Sequence, residues 1–158
     1  VPVREAFLRL IGKGLAVSEP NPGVRVAPLD PAAQRELRAM RGVLEPLALR
    51  HSVPHLSPVQ IAEAEAARRL CDAAQNIFDW EEANRAFHSA TYAGCGMPRL
   101  QEEVANLQLL AARYQLVHYK ERWRPRIDPD HHAIMAAIRR RDPKAAGAVL
   151  ERHLSRMS

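Results

Sequence analysis

Aromatic side chains make up only 5% of this sequence, and runs of strand-forming residues are scarce. A chain so poor in strand formers has little from which to build a sheet. Cysteine is nearly absent too: Cys71 and Cys95 are isolated, with no Cys-x-x-Cys pair. That excludes a secreted disulfide framework and fits reduced thiols in a cytoplasm. No signal peptide and no apolar run of membrane length is visible. There is no GxGxxG, no P-loop and no HExxH, so a zincin protease has no support. The Glu-x-x-His pairs of helical di-iron carboxylate proteins are missing as well.

What is present is a helical chain. Its 158 residues are 47% hydrophobic, largely alanine and leucine, enough for one main domain and a small piece. The expected class is all-α apart from one short hairpin. A net charge of +5 permits a nucleic-acid partner without demonstrating one.

Residues 127–154 organise the rest. They read as two helices joined by a tight turn at Arg141-Asp142-Pro143, with Asp142 as cap and Pro143 at the first helical position. Ile127, His131, Ile134 and Ile138 share one face of the first helix. Ala146, Val149, Leu150, His153, Leu154 and Met157 share one face of the second. His131 lies eleven residues before Asp142 and His153 eleven after it. Each therefore sits roughly 16 Å from the turn, and an antiparallel pair brings them level.

A third histidine comes from upstream. The segment FDWEEANRAFHSATYAG reads as a helix capped by Asp79, with Glu82 completing a capping box. Trp80, Ala83, Phe87 and Thr91 form its apolar face, with Asn84 and His88 on or beside it. Three imidazoles and an amide aimed into one core are costly unless something satisfies them. Either they are hydrogen-bonded core residues, or Asn84, His88, His131 and His153 hold a divalent metal such as zinc or nickel. His118 is a further candidate ligand, at the end of a helix expected over residues 98–122. No carboxylate base is evident beside the histidines, which argues for binding rather than turnover.

The remaining segments frame this site. Residues 1–16 read as an amphipathic helix with Val3, Phe7, Leu10 and Ile11 on its apolar side. Two short β-runs then flank Pro20-Asn21-Pro22-Gly23, which suggests a hairpin. One helix and one hairpin cannot bury a core, so this piece reads as the tail of a domain whose start lies elsewhere. Its order matches the end of a winged helix-turn-helix, or equally a helix and turn packed on the larger domain. Asp30-Pro31 opens a long helix with Leu37, Met40, Val43 (or Leu44) and Leu47 as its stripe and Pro46 expected to kink it. Arg41 and Glu45 can pair across one turn. Ser57 and Gln60 cap the next helix, with Ile61, Ala64, Ala67 (or Arg68) and Cys71 inward. Arg113 with Tyr114 is a candidate carboxylate grip, or else a surface pair.

These motifs together resemble the bacterial GntR transcription regulators of the FadR subgroup, with their C-terminal FCD domain. Pro2-Val3-Arg4-Glu5-Ala6, Leu10 and Gly14-Leu15 look like the recognition helix, and Pro22 to Val26 like the wing. Arg41 with Leu44-Glu45, Asn84 to His88, Asp130-His131, Ile134, Ala137-Ile138, Asp142, Ala145-Ala146 and His153-Leu154 resemble the FCD motifs. The resemblance implies residues 1–29 as part of a winged DNA-binding domain and 30–158 as an effector-binding helical bundle. It implies a divalent metal held by Asp and three His, with Asn84 standing where the family has Asp. It further implies Arg4 and Arg25 at DNA, Arg41 (besides Arg113 and Tyr114) at a small organic-acid effector, and a homodimer on a palindromic operator. The expected function is a DNA-binding regulator controlled by that carboxylate, with no enzyme activity. A metal-dependent helical-bundle enzyme is the alternative, and a helical interaction module with structural histidines a third.

Overall fold

The structure, a computed structural model, describes residues 2–21 and 23–156. Pro22 of the hairpin turn and Met157 of the last stripe lie outside the described residues. In order come α1 (Pro2–Gly12), β1 (Ala16–Glu19), β2 (Gly23–Val26), α2 (Pro31–Ser52), α3 (Pro58–Ala73), α4 (Ile77–Thr91), α5 (Pro98–Tyr119), α6 (Pro129–Arg139) and α7 (Pro143–Arg156). Among the described residues no helix is long and apolar enough to cross a membrane.

The two strands form an antiparallel hairpin, with Ala16 opposite Val26 and Val17 opposite Arg25. Gly14, at φ 72°, turns the chain out of α1 toward β1 in a conformation that suits glycine. α1 buries none of its residues against the rest of the chain: Val3, Phe7 and Leu10 are all exposed.

The bundle α2–α7 holds one continuous core. α3 packs on α4, α2 on α7 and α5, and α6 on α7. Phe87, Leu49, Ile134, Met135, Ile138 and Leu150 are completely or almost completely buried in it. A smaller cluster of Leu37, Leu107 and Ala111 joins α2 to α5. The turn from α6 to α7 is closed by Arg141 in the left-handed region, at φ 56°. Its N–H donates to Ile138 O at 2.9 Å and its guanidinium to Val53 O at 2.9 Å, which ties the strained residue to the end of α2. Asp142 then caps α7 through Ala145 N at 2.9 Å, as the sequence suggests.

Several local expectations are corrected. The cap of α4 is Asn76, not Asp79: its Oδ1 accepts from Phe78 N at 3.0 Å and Asp79 N at 2.9 Å. Asp79 falls in the first turn and accepts instead from Asn76 Nδ2 at 2.7 Å. α2 continues through Pro46, which sits buried within it. Its buried face is Leu37, Arg41, Glu45, Ala48, Leu49 and Ser52, while Met40, Val43 and Leu47 are exposed. Of the expected stripe, Leu37 is buried and Leu44, the alternative to Val43, packs partly buried against the core, while the buried Arg41–Glu45 pair takes part of the inward face in place of Met40 and Leu47. α5 ends at Tyr119, leaving His118 exposed and edge-on to the Tyr119 ring. That removes His118 from any buried site. Ile127 precedes α6 and is 67% exposed.

Candidate functional site

Three helices each deliver one imidazole to the same point in the core. α4 carries His88, one turn from its C-terminal end; α6 carries His131 in its first turn; α7 carries His153 near its end. The antiparallel α6–α7 pair brings His131 and His153 level, with ring centroids 4.9 Å apart. His88 closes the triangle at 5.1 Å from His131 and 5.4 Å from His153. Each of the three residues is at most 3% exposed. One ligand nitrogen from each lies within 4.8 Å of the other two.

The electrostatics keep these rings neutral. Burial lowers His88 well below the ordinary imidazole range, and the charges of His131, His153 and Arg41 add to that. His131 falls to about 4, from burial first and His153 second, against the opposing pull of Asp128, Asp72 and Asp130. Burial lowers His153 as well, opposed by Asp128 and Asp130. A neutral imidazole keeps one nitrogen lone pair. Yet His88 Nε2, His153 Nε2 and both nitrogens of His131 are buried with no hydrogen-bond partner. Leaving such atoms unsatisfied costs about 1–3 kcal/mol each. Convergent, unprotonated and unpartnered nitrogens fit a zinc- or nickel-type ion by donor chemistry. Asn84 Oδ1 is buried without a partner too, in a small hollow shared with His88, Arg41, Gln108 and Gln115.

Two carboxylates that the sequence reading missed stand beside His153. Its Nδ1 lies 3.7 Å from Asp128 Oδ2 and 3.6 Å from Asp130 Oδ2. Asp128 Oδ2 is also 3.9 Å from His131 Nε2. Acids facing the far nitrogen of a histidine orient its ring and raise its basicity as a ligand. Asp130 is itself gripped by Arg152 at 2.9 Å and Arg156 at 3.2 Å. Burial would raise its carboxyl, but the Arg152 bond and the charges of His153, Arg152 and Arg156 outweigh it and hold it below the usual range. The available signal was two acids within three residues of His131, of which Asp130 was noted only as part of the family motif with His131.

Beside this cluster opens a cleft of about 300 Å³. His153, Asp128, Asp130 and Arg156 line its polar end; Trp80, Trp123, Tyr119 and Ile77 form apolar walls. Arg126 also lines it, with its guanidinium 5.7 Å from the Trp80 ring centre.

The other expected site residues fall elsewhere. Arg41 is buried against Glu45, whose carboxylate also accepts from Tyr92 Oη at 2.7 Å and Gln108 Nε2 at 3.1 Å. Arg41 thus borders His88 but is already paired. Arg113 donates to the carbonyls of Ala27 and, at 3.5 Å, Gly14; Tyr114 donates to Asp30 O at 3.1 Å. Arg113 holds the ends of the hairpin segment to α5, Tyr114 holds the start of α2, and neither is brought to the histidines. Arg4 is exposed on α1, and Arg25 is exposed on β2, paired with Glu19.

Known proteins share the family pattern and the fold. The FCD domain pattern matches residues 36–156. The chain is 30% identical over 166 residues to the HTH-type transcriptional repressor GlaR of Escherichia coli, spanning 97% of this chain and 75% of that protein. It is 29% identical over 149 residues to the E. coli HTH-type transcriptional regulator McbR, covering 89% of this chain and 66% of McbR. Among solved structures, that of E. coli McbR superposes with a TM-score of 0.86 at 25% identity, over 98% of this chain and 80% of the other. A GntR family member from Pseudomonas syringae gives 0.74 at 26% identity, over 99% and 66%. The relatives are named as regulators of transcription, in keeping with a regulator rather than an enzyme. The chain belongs to the FCD-domain family of GntR-type transcription regulators.

Proposed function

We propose that this protein is a cytoplasmic, DNA-binding regulator whose helical domain reads a small organic acid beside a divalent metal, zinc or nickel. His88, His131 and His153 hold the ion, with the Asn84 amide oxygen as a fourth donor. The observation that carries the reading is the trio of neutral, buried imidazoles with unpartnered nitrogens. Asn84 brings no charge, and Asp128 and Asp130 beside His153 supply the negative charge nearby. A bound ion supplies positive charge that attracts a carboxylate. The cleft that meets His153 supplies room for the body of that acid.

The N-terminal helix and hairpin serve as recognition helix and wing, with exposed Arg4 and Arg25 at the DNA. Two-fold symmetry of a palindromic operator calls for a homodimer. Arg113, expected from the sequence with Tyr114 as a carboxylate grip, joins the DNA-binding segment to α5, whose Gln108 and Gln115 line the hollow at His88. An effector shifts DNA affinity only through unequal binding to two states, and α5 touches both ends. The test is elemental analysis of the purified protein beside His131→Ala and His153→Ala variants. Metal near one ion per chain, lost in both variants, is expected; unchanged content in both sinks the reading.

A further inference from the structure

Asn84 leaves the proposed metal set without a charge of its own, and the following rests on that reading of the site. A dication among three neutral imidazoles and an amide keeps its full charge in the core. A buried charge is costly unless an opposite one stands close by. Four acids act on the charge of His131 or His153: Glu45, Asp72, Asp128 and Asp130. Three of them already face a bonded cation. Glu45 is paired with Arg41, and Asp72 with Arg68. Asp130 takes two guanidiniums, Arg152 at 2.9 Å and Arg156 at 3.2 Å. Asp128 differs. It is largely buried, and among the described residues no lysine or arginine pairs with it.

The two oxygens of Asp128 face different ways. Oδ1 caps α6 by accepting from Asp130 N at 2.9 Å. Oδ2 is turned to the cluster, 3.7 Å from His153 Nδ1 and 3.9 Å from His131 Nε2. At these lengths the interaction is one of charge rather than a formed hydrogen bond. The nitrogens left over are His153 Nε2 and His131 Nδ1, both buried and without a partner, as is His88 Nε2. A histidine that ligates through one nitrogen carries its proton on the other. An acid at that proton fixes the tautomer and strengthens the ligand. One carboxylate oxygen is thus shared by two of the three ligands, behind their rings. We propose that Asp128 is the positioning residue of this metal site, and that its charge, acting through His131 and His153, replaces the one that Asn84 does not bring.

Competition titration of zinc against a chromophoric chelator tests this on the wild type, Asp128→Asn, Asn84→Asp and the double variant. Asn keeps an oxygen for the α6 cap, so Asp128→Asn removes the charge and spares the helix start. It is expected to weaken zinc by roughly tenfold to a hundredfold, the range for lost outer partners of ligating histidines. Asp128→Ser, which also caps, gives the same loss. Asn84→Asp on the Asp128→Asn background returns a charge to the site and restores most of the affinity. In cobalt-loaded protein the visible spectrum of Asp128→Asn matches that of the wild type, because Asp128 acts from behind the ligands. A changed spectrum identifies Asp128 as a direct ligand and overturns the positioning role. Unchanged zinc affinity in Asp128→Asn, or a loss that Asn84→Asp does not restore, overturns it as well. Zinc taken up by Asn84→Asp but not by the wild type overturns this inference alone and leaves the histidine site standing. Zinc taken up by neither brings down the metal reading with it.

Discussion

Replacing Glu45 by Ala gives the sharpest energetic test of how this core is built. The carboxylate is fully buried and accepts from three donors, Arg41 of α2, Tyr92 just past α4 at 2.7 Å and Gln108 of α5 at 3.1 Å. Removing it leaves a buried guanidinium without its bonded counter-ion. Breaking a buried ion pair from one side costs about 3–5 kcal/mol. At about 2–4 °C per kcal/mol for a domain of this size, the melting temperature should fall by about 6–20 °C. The converse change has the opposite logic. Arg41→Met with Glu45→Leu removes both charges and refills the space, and should cost at least about 2 kcal/mol less than the two single changes summed. Urea denaturation of the metal-free wild type, both single variants and the double variant measures the coupling. A Glu45→Ala variant within about 1 kcal/mol of wild type, or strictly additive changes, would refute the account of this pair.

Further outcomes follow from other contacts. Glu65 on α3 binds Arg68 at 2.8 Å and Arg139 of α6 at 3.0 Å, and its carboxyl is lowered from 4.5 to about 2, with the Arg68 bond the largest cause. A depressed carboxyl stabilises above its unfolded value and loses that as pH falls through the folded one. Glu65→Gln should thus cost at most about 3 kcal/mol at pH 6 and little near pH 2, so its deficit in a pH series of melts must shrink with acid. A Cβ at Gly94 would lie 2.7 Å from Ser52 O and 2.9 Å from Leu56 N, both backbone atoms. Gly94→Ala should therefore lower the melting temperature by several degrees, about 1–3 kcal/mol, and a neutral result in a thermal melt counts against the packing of that turn on α2. Arg113→Ala removes the bonds to Ala27 and Gly14. Limited proteolysis should then cut near residues 27–31 faster than in wild type, while the bundle's melting temperature holds.

Much of the site was legible because it is local. The equal spacing of His131 and His153 about Asp142 is a property of one helical hairpin, and helix geometry alone brings them level. Asn84 and His88 share a face by the four-residue spacing. What was not legible depends on distant partners. The inward face of α2 carries Arg41 and Glu45, and nothing near them announces Tyr92 and Gln108, which lie 47 and 63 residues from Glu45. The stripe of Leu37, Met40, Val43 (or Leu44) and Leu47 was the better local pattern; Leu37 and Leu44 keep to it, and at the other positions the buried network overrode it. Arg113 looked like a ligand grip because its carbonyl partners lie 86 and 99 residues away. Arg126 drew no notice, since a loop arginine has no periodicity and its contact is with Trp80 of another element.

The most direct test of the central claim is anomalous scattering at the zinc or nickel edge on crystals of metal-loaded protein. The account predicts a single strong peak enclosed by His88, His131 and His153, with the Asn84 side chain against it. No peak there after loading with both metals, or a peak held by other residues, would contradict it.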